Sequence, residues 1–140
     1  MKVAIIGAGS LGQSIAKGLL KNKVVSSLYL TKRNTSSIVG FENYDEVILT
    51  SNNKEAIKNA DILIFAVQPR HLEKILLDSK DLLRKEQLII SVITGFSIQK
   101  IEDIIGANHF IIRAMPNTAA SVGQSMTCLS PNEKGREKVE

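Results

Sequence analysis

Gly7-Ala8-Gly9-Ser10-Leu11-Gly12 stands between an apolar run, Lys2 to Ile6, and an amphipathic stretch, Leu11 to Lys21. A glycine triplet of this spacing, leaving a strand and opening a helix, constrains the fold more than any other feature of the chain. Gly7 permits the tight turn, and Gly9 has no side chain to keep a pyrophosphate off the backbone. Gly12 lets the helix pack close to the strand. The helix N-terminus then presents unpaired N–H groups and a favourable dipole to an anion.

The rest of the chain repeats the alternation that such a fold requires. Strands are predicted at Lys2 to Ile6, Ser27 to Thr31, Val47 to Thr50, Ile62 to Val67, Leu88 to Ile93 and Phe110 to Ala114, with a seventh at Met126 to Leu129. Helices are predicted at Leu11 to Lys21, Asn53 to Asn59 (capped by Ser51 or Asn52), from Pro69 with a break through to Leu83, and at Ile98 to Ile105, where Gly106 stops it. Asn34 to Asp45 reads as loop with at most a short helix. The run Ile62 to Val67 is continuously apolar, as a strand covered on both faces should be. Strands separated by helix-length segments give an α/β fold: a doubly wound, mostly parallel sheet with helices on both faces.

The 140 residues make one domain. We expect residues 1–130 to form the dinucleotide-binding domain. Ser130-Pro131-Asn132-Glu133 has capping-box spacing with Pro131 at the first helical position, so 131–140 is expected to begin a helix leading into a further, C-terminal domain that the chain lacks.

Several function classes are excluded. Cys128 is the single cysteine and His71 and His109 the only histidines, so a metal site is not expected. Cys128 is expected to be a small buried or half-buried residue, His71 a surface residue at a helix start, and His109 a loop residue. Aromatics are 4% of the chain, too few for base-stacking platforms, and the basic residues form no dense run, so nucleic acid is not an expected partner. No apolar run approaches the roughly 20 residues of a membrane helix, and a cytoplasmic protein without membrane contact is expected.

The net charge is +4, from 18 basic and 14 acidic residues, and its placement is informative. No Asp or Glu occurs from Met1 to Phe41, a stretch that holds Lys2, Lys17, Lys21, Lys23, Lys32 and Arg33. NAD sites place an acid at the end of the second strand to bond the ribose 2′-hydroxyl. Here that position reads Thr31-Lys32-Arg33-Asn34. A guanidinium there binds a 2′-phosphate through its planar fork, so NADP is predicted over NAD. Ser51-Asn52-Asn53 is a second polar cluster within reach of the adenosine ribose. Strand ends at Ala66-Val67-Gln68-Pro69, Ile93-Thr94-Gly95 and Arg113-Ala114-Met115-Pro116-Asn117-Thr118 carry small residues, Gly and Pro, which leave room for a nicotinamide. Met115 reads equally as a core filler and Asn117 as a turn residue.

Arg113-Ala114-Met115-Pro116-Asn117-Thr118 followed by Val122-Gly123 resembles the strand-six signature of Δ1-pyrroline-5-carboxylate reductases. Asn53-Lys54-Glu55, Ala60-Asp61, the Ala66-Val67-x-Pro69 turn, the Ser91-x-x-x-Gly95 segment and the glycine loop fit the same family, over essentially the whole chain. The resemblance implies reduction of 1-pyrroline-5-carboxylate to L-proline with NADPH preferred over NADH. It also implies a homo-oligomer formed through the C-terminal domain. By position it implies that Ile6, Gly7, Ala8, Gly9, Ser10, Leu11 and Gly12 hold the pyrophosphate, and that Thr31, Lys32, Arg33 and Asn53 lie near the 2′-phosphate and adenosine ribose. Ala66, Val67, Gln68 and Pro69 would line the nucleotide. Ile93, Thr94, Gly95, Met115, Pro116 and Asn117 would flank the nicotinamide. It assigns no catalytic residue within this chain. Gln68 stands where many members have Lys, and Ala119 where a second Pro often follows. These departures leave open a relative that reduces another imine or a ketone, and a nucleotide-binding module without turnover.

Overall fold

A computed structural model describes residues 1–122 and 124–139. Seven strands form one sheet: β1 Lys2–Ile6, β2 Ser27–Thr31, β3 Val47–Thr50, β4 Ile62–Phe65, β5 Leu88–Ser91, β6 Phe110–Met115 and β7 Cys128–Pro131. Their spatial order is β3-β2-β1-β4-β5-β6-β7. The first six run parallel and β7 is antiparallel to β6. The order reverses between β1 and β4, which is where a doubly wound sheet opens a crevice at its carboxyl edge.

Period-two alternation builds two cores. Ala4 and Ile6 of β1, with Leu63, Phe65, Ile89 and Ile111, face α2 (Asn53–Asn59), α3 (Pro69–Ser79) and α4 (Ile98–Ile105). Val3 and Ile5, with Leu28, Leu30, Ile64 and Ala114, face α1 (Ser10–Lys21) and the loop residues Ile38 and Phe41. Each Val, Leu, Ile or Phe side chain so removed from water contributes roughly 1.5–3 kcal/mol, so the register of β1 is set from both faces at once. Helices thus cover both faces, as the alternation predicts. Asn52 caps α2 by accepting from the Glu55 N–H at 3.2 Å, and Ser97 caps α4 by accepting from Lys100 at 3.2 Å.

The element ends differ from expectation in instructive ways. β4 and β5 stop two residues early, because the chain leaves the sheet to form the loops at its carboxyl edge. The Ala66 N–H still donates to the Ile6 carbonyl at 2.8 Å. β7 covers Cys128–Pro131 rather than 126–129, and as the edge strand it leaves Cys128 exposed, not buried. The helix expected from Pro131 is absent: Pro131 is the last residue of β7, opposite Ile112, and a short 3-10 turn follows at Lys134–Lys138. The reason is Asn132. Its buried side chain accepts from the N–H of Ile111 at 3.1 Å and of Gly135 at 2.6 Å, and donates to Glu102 at 2.9 Å and to the His109 carbonyl at 3.0 Å. A Cβ on Gly135 would stand 2.4 Å from the Ile111 carbonyl oxygen, so this glycine marks a close approach of chains.

Candidate dinucleotide site

The three glycines of the first loop serve separable purposes. Gly7 has φ +100, and a Cβ there would lie 2.7 Å from Val67 Cγ1 and 2.9 Å from the Val67 nitrogen. A Cβ on Gly12 would lie 2.4 Å from the Gly7 carbonyl oxygen. Both are glycines for the fold. Among the described residues a Cβ on Gly9 would meet nothing within 4 Å, and its φ of −78 suits any residue. Nothing in the packing of those residues explains that glycine; an open approach to the backbone does. Gly9 is also the N-cap of α1, no side chain caps that helix, and no acid stands in its first turn. Its first N–H groups are therefore available to an anion.

β2 fastens this loop. The Thr31 hydroxyl accepts from the Gly7 N–H at 3.2 Å, and the Thr31 carbonyl accepts from Ala8 at 2.7 Å. Thr31 is 1% exposed, so its side chain is turned under the loop rather than out toward a ribose phosphate. Gln13 adds a second brace, donating to the Ala8 carbonyl at 2.9 Å. Both braces escape a reading by motif, because neither lies within the triplet. Ile6 and Ala8 are fully buried and offer only backbone to a ligand, whereas Ser10 is exposed and Leu11 half-buried against the α1 core.

The other predicted positions fall along the same edge. Ile6 pairs with Phe65, Phe65 with Ser91 and Ser91 with Arg113, so the loops that follow β1, β4, β5 and β6 stand side by side. Five neighbouring strands from β2 to β6, at about 4.8 Å spacing, span roughly 19 Å. At one end Lys32 is half-buried and Arg33 exposed, and among the described residues no ion pair holds either. Asn53 is half-buried at the start of α2, on the rim of a cavity of about 340 Å³ that Ile75 and Ser79 of α3 also line. Val67 touches the Gly7 position, beside half-buried Ala66, while Gln68 and Pro69 are exposed at the start of α3. Ile93 is buried, but Thr94 and Gly95 are exposed, and Gly95 has φ +78 with open space about it. Met115 is 43% exposed, so it is no core filler. Asn117 is exposed and shapes its turn, accepting from the Ala119 N–H at 3.0 Å. Gly123 of the strand-six signature lies outside the described residues.

His71, half-buried in the first turn of α3, accepts from Arg70 Nε at 3.3 Å. His109 precedes β6, at the opposite edge of the sheet. Burial, and then the Lys134 charge, hold its pKa below the usual histidine range. Among the described residues no cluster of His, Cys, Asp or Glu is placed to hold a metal ion, and no helix is long and apolar enough to cross a membrane.

A parallel sheet that reverses its strand order beside a glycine loop with one unobstructed glycine is the architecture of the doubly wound dinucleotide-binding domains. The chain belongs to the family described as NADP oxidoreductase, coenzyme F420-dependent, whose model matches residues 2–95. It is 41% identical over 150 residues to pyrroline-5-carboxylate reductase 1 of Dictyostelium discoideum, an alignment covering 98% of this chain and 27% of that protein. It superposes on a pyrroline-5-carboxylate reductase from Coxiella burnetii with TM-score 0.87 and 30% identity, over 99% of this chain and 53% of that one. The fold is also that of the NADP-bound pyrroline carboxylate reductase of Plasmodium falciparum, with TM-score 0.82, 23% identity, and 99% and 52% of the two chains covered. The resemblance carried by the strand-six signature is thus borne out by sequence and by structure. The chain spans about half the length, or less, of these relatives.

Proposed function

We propose that this chain is the nucleotide-binding part of a reductase that converts 1-pyrroline-5-carboxylate to L-proline with NADPH. The observation that carries the reading is Gly9: a glycine that the packing does not need, at an uncapped helix N-terminus, beside a strand end bearing Lys32 and Arg33 and no acid. The open backbone and the cations fit a dinucleotide with a 2′-phosphate. The first N–H groups of α1 hold the pyrophosphate, while Arg33 and Lys32 pair with the 2′-phosphate beside Asn53. The turns Ile93-Thr94-Gly95 and Met115-Pro116-Asn117 wall the nicotinamide. When bound, NADPH supplies a hydride to the carbon of a C=N bond. A protonated cyclic imine is already a good electrophile, so the chain's residues are asked for position and electrostatics rather than for a strong general acid. The names of the relatives support the substrate, and the NADP held by the Plasmodium protein supports the cofactor. In this reading the protein acts in the cytoplasm on a small molecule, and self-associates through the part of its relatives that this chain does not span.

Calorimetric titration with NADPH and NADH in parallel tests the proposal. NADPH should bind at least about tenfold more tightly, and Arg33→Ala should remove most of that margin, the worth of one charge-assisted hydrogen bond. Equal or tighter binding of NADH refutes the assignment of Lys32 and Arg33.

A further inference from the structure

Arg113 is the one guanidinium that β6 carries into the sheet's interior layers. Along β6 the faces alternate, with Ile111 and Arg113 on the side of α2, α3 and α4 and Ala114 on the side of α1. Arg113 stands opposite Ser91 of β5 and Ser130 of β7, near the carboxyl end of the sheet. Its Nη2 donates to the Ile93 carbonyl at 3.5 Å, the long limit for such a bond. Its Nε is fully enclosed and has no hydrogen-bond partner among the described residues. Among the described residues no carboxylate pairs with it.

Arg113 as a whole is half-buried, but an enclosed donor left without a partner calls for a reason. The one group that the Arg113 side chain engages among the described residues supplies it. Ile93 is the last buried residue before Thr94 and Gly95, which are exposed, Gly95 at a positive φ. The same turn closes the proposed nicotinamide end of the site. We infer that Arg113 is a positioning residue, a strut that fixes the 93–95 turn through the Ile93 carbonyl and so determines how the nicotinamide half of the dinucleotide is held. The inference rests on the proposed NADP reading. It adds a division of labour, in which the glycine loop and Arg33 hold one half of the ligand and Arg113 acts only on the other.

The test uses the intact chain and two ligands, NADPH and adenosine 2′,5′-bisphosphate, which lacks the nicotinamide half. Arg113→Met should weaken NADPH binding by about tenfold, the equivalent of one hydrogen bond from a charged donor. Affinity for adenosine 2′,5′-bisphosphate should stay within about twofold of wild type, well below that single-bond effect. The emission of bound reduced nicotinamide should also change, a readout that general loosening of the sheet would not move selectively. Arg113→Lys keeps the charge and most of the packing, so it guards against a variant that fails to fold. It should show the same selective loss to a smaller degree. If both variants weaken the two ligands equally, or leave NADPH binding unchanged, the strut is wrong while the cofactor reading stands. If the wild-type chain binds neither ligand, the cofactor reading itself falls, and the strut with it.

Discussion

Replacing the three loop glycines by alanine, one at a time, should separate the fold from the ligand. At Gly7 an alanine must adopt φ +100 and place its methyl 2.7 Å from Val67 Cγ1. The backbone conformation alone costs about 1–2 kcal/mol, and crowding adds about 1–3 kcal/mol. At Gly12 the methyl meets a backbone oxygen at 2.4 Å, so α1 must shift away from the loop. Overpacking of that kind also costs about 1–3 kcal/mol or more. At Gly9 there is nothing to strike within 4 Å. Alanine is a poorer N-cap than glycine, but it restrains the unfolded chain, which returns about 0.4–1 kcal/mol. The two nearly cancel. A domain of this size has an unfolding entropy near 0.3 kcal/mol/K. Gly9→Ala should therefore shift Tm by no more than about 3 °C, Gly7→Ala should lower it by roughly 7 °C or more, and Gly12→Ala by roughly 3–10 °C or more. In calorimetry the order reverses for Gly9, whose new methyl occupies the approach to the backbone. NADPH binding should fall at least about a hundredfold, near 2.7 kcal/mol. A Gly9→Ala protein with unchanged Tm and unchanged affinity refutes the reading of Gly9. One that unfolds refutes the claim that its surroundings are open.

Three further outcomes follow from particular contacts. Thr31→Val keeps the shape and removes the acceptor for the Gly7 N–H. It should cost about 1 kcal/mol in chemical denaturation and weaken NADPH binding, with Thr31→Ser restoring both. Asn132→Leu leaves the Ile111 N–H and the His109 carbonyl without their side-chain partner. It should cost about 2–4 kcal/mol, a fall in Tm of roughly 7–14 °C, read by differential scanning calorimetry. His109 has a lowered pKa because burial disfavours its charged form, with Lys134 adding to the effect. The unfolded chain then binds the proton more readily than the folded one. Stability should rise with pH through the interval that ends at the ordinary histidine value, about 6.5, and level off above it. His109→Gln should flatten that part of a stability-against-pH profile, and an unaltered profile would remove His109 as its source.

What could be read in advance followed local periodicity. Lys2 to Ile6, the start of α2 at Asn53 and the stop of α4 at Gly106 depend on neighbours within a turn or two, and all stand where patterning puts them. The errors arose where a distant partner outbid a local signal. Ser130-Pro131-Asn132-Glu133 carries every mark of a helix start, yet beside its local bond to Gly135 the Asn132 side chain bonds to residues 102, 109 and 111, which no window around Pro131 contains. Thr31 is the same lesson within the site. Its rank at the end of β2 suggests a ligand, but Gly7, 24 positions away, claims the hydroxyl. Arg113 was visible as part of a signature, while its enclosure under the turn after β5 was not.

The central place of β1 has a consequence during synthesis. It is made before the other six strands, and one of its edges is covered by β2 within some twenty residues, but the other waits for β4. That is about 60 residues of further chain, or roughly 3–12 s at ordinary ribosomal rates. For that interval the nascent chain exposes an apolar, unpaired strand edge, the feature most prone to mispairing. Val67, which holds the turn at Gly7 from the far side, also emerges only then. The nascent chain must therefore remain in its most vulnerable form until the residues that complete its glycine loop have left the ribosome.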